Sequence, residues 1–175
     1  MPKTSTTSVS RQSQIISAAI EVFAEMGYYR ATTAKVAEKA EISQPYVFKF
    51  FSTKEELLIE ALKVSWKRIM DSFLKVIDST PNNRLEDELI ASYEQIMNSH
   101  RNEILLQMQA QSIQEDSIMK VMQDGFKDIR KTVYQAFHEA GIKNPAERTM
   151  LFLAKGMLCN ISMSLNLPEL MKIDE

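Results

Sequence analysis

Covalent chemistry has few candidates in this 175-residue sequence, and the side chains that stand out by type and spacing are suited to hydrogen bonding instead. Cys159 is the single cysteine, and His100 and His138 stand far apart with no acid and nucleophile pattern around them. A catalytic triad, an intramolecular disulfide and a His-rich metal cluster are therefore not expected. No P-loop, Rossmann glycine fingerprint, H-E-x-x-H pair or G-x-S-x-G elbow occurs either. The expectation is a protein that is not an enzyme, with no catalytic residues, no metal and no cofactor. The polar pattern that does emerge lies between Thr33 and Phe51. There Gln44, Pro45 and Tyr46 follow Ser43, and a helix start would project them outward as an amide, an apolar ring and a phenol.

The elements needed to hold that trio can be read from periodicity. A first helix is predicted from about Ser10 to Met26, with Ile16, Ala19, Ile20, Phe23 and Ala24 on one face and Gly27 as its stop. Thr33 can cap a short helix through Ala40, Glu41 and Ile42 form a turn, and Ser43 can cap a second short helix to about Phe51. Two such helices cannot bury each other, so the first helix must support them. This is the geometry of a helix-turn-helix, whose second helix enters a DNA major groove, and equally of an αα-hairpin in a bundle.

Ser52 to Glu55 reads as a capping box opening a long helix that stops before Pro81. Asn83 with Glu86 then caps a helix to about His100, a shorter helix is expected over 103–113, and long helices from about Ser117 to Gly141 and from Asn144 to Leu165 complete an all-α chain. His100 near a helix end is read as capping carbonyls or meeting solvent, His138 as a surface residue, Cys159 as a small core residue and Trp66 as packing.

Composition agrees with an ordinary globular chain, 45% apolar and 25% charged, with net charge −2. The first 55 residues carry seven Lys/Arg against five acids, whereas the remainder is net acidic. A mildly basic head on an acidic body is compatible with a nucleic-acid-reading module. The N-terminus lacks the apolar core of a signal peptide and no window approaches a membrane span, so a cytoplasmic protein without membrane contact is expected.

The full wording from Phe23 to Leu57, F-x-x-x-G-Y-x-x-x-T-T-x-x-V-A-x-x-A-x-I-S-x-P-x-V-F-x-x-F-x-x-K-E-x-L, resembles the DNA-binding domain of the TetR family of transcriptional regulators. The resemblance implies a three-helix DNA-binding domain over residues 1–55, with its helix-turn-helix at about 32–51, and a helical ligand-binding and dimerisation domain over 56–175. It also implies a dimer that binds a palindromic double-stranded operator, usually represses, and releases DNA when a small-molecule effector enters the second domain. Side-chain chemistry at the matched positions assigns base readout to Gln44, which can pair bidentately with adenine, to Tyr46, and to Pro45 or Ala34 against thymine methyls. Lys35 can reach a guanine. Thr33, Lys35, Lys49 and Lys54 are the candidate phosphate contacts. Tyr46 can equally fold back onto its neighbours. Three residues depart from the family wording: Glu41 stands at the usual turn glycine, Phe48 at a tyrosine and Phe50 at a frequent histidine.

Over the remaining two-thirds the resemblance reduces to helix count and order. Eight of eleven methionines lie after residue 90, as plain core or as an adaptable apolar pocket. The candidate ligand-binding residues are Tyr93, Met97, Met108, Met122, Phe126 and Phe152, which favour an apolar or aromatic ligand. Helices at about 117–140 and 145–165 are expected to meet their copies in a homodimer, since the second is apolar beyond one stripe; complete burial within one chain is the alternative. A rival to the regulator reading is a helical interaction module on the same scaffold that has lost specific DNA binding.

Overall fold

The computed structural model describes residues 4–172, with side-chain surroundings from Arg11 onward. The outer ends of the two expected domains, at residues 1 and 175, lie outside the described residues. Those described form α1 (Thr4–Met26), α2 (Thr33–Lys39), α3 (Gln44–Val47), α4 (Lys54–Ser79), α5 (Leu85–Ser99), α6 (Arg101–Ala110), α7 (Asp116–Glu139) and α8 (Pro145–Leu165). Short 3-10 turns occupy Asn82–Arg84 and Pro168–Met171, and there is no strand among the described residues.

Several boundaries differ from the periodic reading, each for a local hydrogen-bonding reason. Thr32 rather than Thr33 caps α2, its hydroxyl accepting the Lys35 N–H at 3.2 Å, which turns Thr33 inward. α3 ends at Val47 instead of Phe51, because the chain tightens into i→i+3 bonds from Lys49 N–H to Tyr46 O and from Phe50 N–H to Val47 O. The capping box of α4 lies one residue later than expected. Thr53 accepts the Glu56 N–H at 3.0 Å while the Glu56 carboxylate accepts the Ser52 N–H at 2.6 Å. Glu55 is thereby left to accept from the Ser117 hydroxyl of α7. Asn83 sits inside a 3-10 turn and does not cap α5.

The turn between α2 and α3 is a Schellman closure: Ile42 N–H reaches Ala37 O at 3.0 Å and Glu41 N–H reaches Glu38 O at 3.1 Å. It places Glu41 at φ 54°. The end of α7 closes in the same way, from Ile142 to Phe137 and from Gly141 to His138, with glycine at φ 70°. A left-handed non-glycine residue costs roughly 1 kcal/mol, so Glu41 keeps the geometry of the turn at the expense of some stability.

Two hydrophobic clusters form the interior. The first joins Ile16, Ile20 and Phe23 of α1 to Val36, Val47, Phe51 and Leu58, and is closed by Leu106 of α6 and Ile118 of α7. The second gathers Ile69 and Phe73 of α4, Leu89 of α5, Val133 and Phe137 of α7 and Phe152 of α8. α4 runs through both. Trp66 lies between them, its indole lodged against α7 at Gly125, where an added Cβ would meet the ring at 2.3 Å. On the outer side of α8, Met150, Leu151, Leu158, Ile161 and Leu165 are exposed, so complete burial within one chain is excluded.

Glu41→Gly is expected to stabilise the fold by roughly 1 kcal/mol, read as a higher urea midpoint at unchanged m-value. Gly125→Ala should do the reverse despite alanine's better helix propensity, losing about 1–3 kcal/mol by overpacking against Trp66, with a shift in the emission of that single tryptophan. A neutral Gly125→Ala would contradict the close approach.

Candidate nucleic-acid interface and ligand cavity

The outward surface of the helix pair is built from α2 and the first turn of α3. Ala34, Lys35, Gln44, Pro45 and Lys49 are exposed, Tyr46 is half-buried, and Thr33 is 8% exposed. Val36 and Val47, both fully buried, anchor the two helices to the first core. The structure therefore brings the expected DNA-facing residues together, with three refinements.

Thr33 does not present a free hydroxyl. It accepts a 2.8 Å bond from Gln44 Nε2, joining the start of α2 to the start of α3. One N–H of the Gln44 amide is engaged by this bond, while the second N–H and the carbonyl oxygen are left without a protein partner. Thr33 is thus a positioning residue for Gln44. Tyr46 folds back in part, its ring 5.5 Å from Phe50 at a steep angle, and Lys49 Nζ lies 5.1 Å from its ring centroid.

Lys54, an expected phosphate contact, instead clamps the loop between α1 and α2. Its ammonium donates to Tyr28 O at 2.8 Å and Ala31 O at 3.1 Å and lies 4.4 Å from the Tyr28 ring centroid. Lys35 is paired with Glu38 at 2.9 Å, an exposed ion pair worth at most about 1 kcal/mol and readily exchanged for a phosphate. Of the three departures, Glu41 is absorbed by the Schellman turn, Phe50 supports Tyr46, and Phe48 is left exposed.

A cavity lies between α4, α5, α6, α7 and α8, with about 670 Å³ of space counting its part open to solvent. Its apolar wall includes Ile69, Phe73, Ile129 and Leu153, with Trp66 and Phe126 meeting edge to face at 4.9 Å. Of the expected ligand residues, Tyr93, Phe126 and Phe152 line it. Met122 borders a shallow neighbouring groove shared with Phe126, Met97 packs on the second core, and half-buried Met108 lines neither. Sequence reasoning missed Gln107 and Asn160. Gln107 and Gln111, four apart in the glutamine-rich stretch, and Asn160 within the apolar run from Met157 to Ile161 were the available signals.

Tyr93 OH donates to Asn160 Oδ1 at 2.8 Å, and burial pushes the phenol up to about 12, so it stays a donor. Glu103, 7% exposed, is paired with Arg68 and lies 3.4 Å from His100 Nδ1. Burial, assisted by the Arg68 charge, lowers the His100 pKa. Cys159 is buried on the cavity wall, and burial raises its thiol pKa. His138 is exposed and stacks on Tyr134. No group of three or more His, Cys, Asp or Glu that could hold a metal occurs among the described residues, and no described helix is long and apolar enough to cross a membrane.

Gln44→Ala is expected to lose about 1–3 kcal/mol of discrimination at one base position, and Thr33→Val to lose part of it while Thr33→Ser retains it. Lys49→Ala should weaken all duplexes alike and flatten the salt slope. Binding to a set of single-base operator variants separates these outcomes, and equal effects at every position would contradict the assignment of Gln44.

Comparison with known proteins agrees with this geometry. Residues 15–61 match the family model of bacterial regulatory proteins of the tetR family. The transcriptional repressor KstR2 of Mycobacterium tuberculosis is 28% identical over 124 residues, 70% of this chain and 62% of the relative, so the match spans less than two-thirds of that protein. The fatty acid metabolism regulator protein of Bacillus subtilis is 40% identical over 50 residues, 29% of this chain and 26% of the relative. Among solved structures, the transcriptional regulator FadR from Bacillus subtilis in complex with stearoyl-CoA superposes with a TM-score of 0.74 at 19% identity, covering 88% of each chain, and so shares the fold. Residues 15–61, which carry the helix pair and its supporting helix, are thus similar to the DNA-binding segment that the tetR family model describes.

Proposed function

We propose that the protein is a dimeric, sequence-specific DNA-binding transcriptional regulator, a repressor that leaves a palindromic operator when a small apolar molecule occupies the cavity. The observation that carries this reading is the held Gln44 amide, at the exposed first turn of a helix whose other face is buried. Buried anchoring fixes the helix and leaves the reading groups outside, as major-groove recognition requires. The exposed Met150, Leu151, Leu158, Ile161 and Leu165 on α8 supply the face for a second copy. A two-fold dimer matches half-sites about 34 Å apart or a multiple of that spacing.

The cavity is the effector site in this reading, with Tyr93, Phe126 and Phe152 in its wall. The stearoyl-CoA held by the Bacillus subtilis neighbour makes a long acyl body one candidate for the apolar part of the effector. Ligand must bind the non-DNA conformation more tightly than the DNA-bound one, or no release follows. α4 carries the change, because it lines the cavity through Trp66, Ile69 and Phe73 and supports the head through Leu57 and Leu58.

Fluorescence anisotropy of the full chain with duplex DNA from beside its own gene and with a scrambled duplex, at 50 to 200 mM salt, tests the reading. Tight, sequence-selective, salt-sensitive binding with two subunits per site is expected. Equal weak binding to both duplexes, with selection from a random DNA pool also failing, would contradict it and favour the interaction module. Ile161→Lys should yield a monomer by analytical ultracentrifugation and weaken operator binding at least about tenfold, since the two half-sites no longer act together.

A further inference from the structure

Two amides of the cavity wall are each held at one end and open at the other. Gln107 is 4% exposed and donates through Nε2 to Ser65 Oγ at 2.8 Å. Ser65 in turn donates its single hydroxyl proton to Glu103 O at 3.3 Å, so its oxygen can only accept from Gln107. That fixes the orientation of the Gln107 amide and leaves Oε1, an acceptor, and the second N–H of Nε2 without a protein partner on this wall residue. Asn160, 9% exposed, accepts the Tyr93 hydroxyl through Oδ1, which leaves the two N–H groups of Nδ2 without a protein partner. Both residues line the same cavity, whose ionisable groups are Glu94 and Lys155, both exposed in the chain, and the un-ionised Tyr93 and Cys159.

Resting on the effector-site reading above, we infer that the cavity takes an uncharged apolar molecule carrying a group that both donates and accepts a hydrogen bond, such as a hydroxyl or a secondary amide. The donor satisfies Gln107 Oε1 and the acceptor meets Asn160 Nδ2. A carboxylate could use Asn160 but would place its charge beside the acceptor Gln107 Oε1, with no buried cation to compensate. An unsubstituted hydrocarbon would leave Gln107 Oε1 and Asn160 Nδ2 unpaired.

Trp66, the single tryptophan, is in the cavity wall and reports occupancy by its own fluorescence. The full-length protein is titrated with decan-1-ol, N-methyldecanamide and decanoate, which share one apolar body. Decan-1-ol and N-methyldecanamide are expected to bind at least about tenfold more tightly than decanoate, and Gln107→Leu to remove most of that preference. Decanoate binding as tightly as the neutral probes would overturn the proposal while leaving the cavity as a ligand site. No response to any of the three would remove the effector-site reading itself, and the proposal with it. The wild-type comparison stands even if Gln107→Leu fails to fold.

Discussion

The structure depends on one unbroken helix shared by two cores. α4 gives Leu57, Leu58, Ala61 and Leu62 to the cluster beneath the head and Ile69 and Phe73 to the cluster around the cavity. Close-packed interiors resist continuous deformation, so a shift of α4 in one cluster must be accommodated in the other. α6 reinforces the connection: Gln107 faces the cavity, while Gln109 Nε2 bonds Ala24 O near the end of α1 at 2.8 Å. Head and body are therefore mechanically joined by packing and by a hydrogen bond between distant parts of the chain.

The polar groups expected to meet DNA or ligand follow a common arrangement. Gln44, Gln107 and Asn160 are each tied at one end of the amide, to Thr33, Ser65 and Tyr93 respectively. A tethered amide has lost much of its rotamer freedom before binding, so less entropy is lost when its other end finds a partner. The tether also sets which end is offered, and with it the kind of group that can be recognised. In the head this leaves a donor and an acceptor on one side chain, suited to adenine. In the cavity the donor and the acceptor come from two different helices.

Much of the fold was legible in the sequence because apolar periodicity, Gly27, Pro81 and Gly141 mark long helices and their ends. The stripe from Leu58 to Phe73 and the stop at Ser79 follow directly from such signals. Caps were less legible: adjacent threonines at 32 and 33, and Ser52 beside Thr53, offer the same hydroxyl, and only tertiary placement decides which is free to cap. In the head, the exposed Ala34, Lys35, Gln44 and Pro45 were readable from helical phase. The roles of Thr33 and Lys54 were not, because their partners lie 11 and 23 to 26 residues away. The cavity was least legible. Methionines at helical spacing serve a core and a pocket equally well, and Gln107 and Asn160 become wall residues only once five helices have been brought together.

Coupling between cavity and head is tested most directly by titrating Trp66 fluorescence with decan-1-ol in the presence and absence of saturating operator duplex, beside the converse titration of DNA at saturating decan-1-ol. With α4 joining the sites, each ligand weakens the other by the same factor, as linkage requires. Affinities for decan-1-ol that are identical with and without DNA, where both ligands bind, would contradict a shared lever.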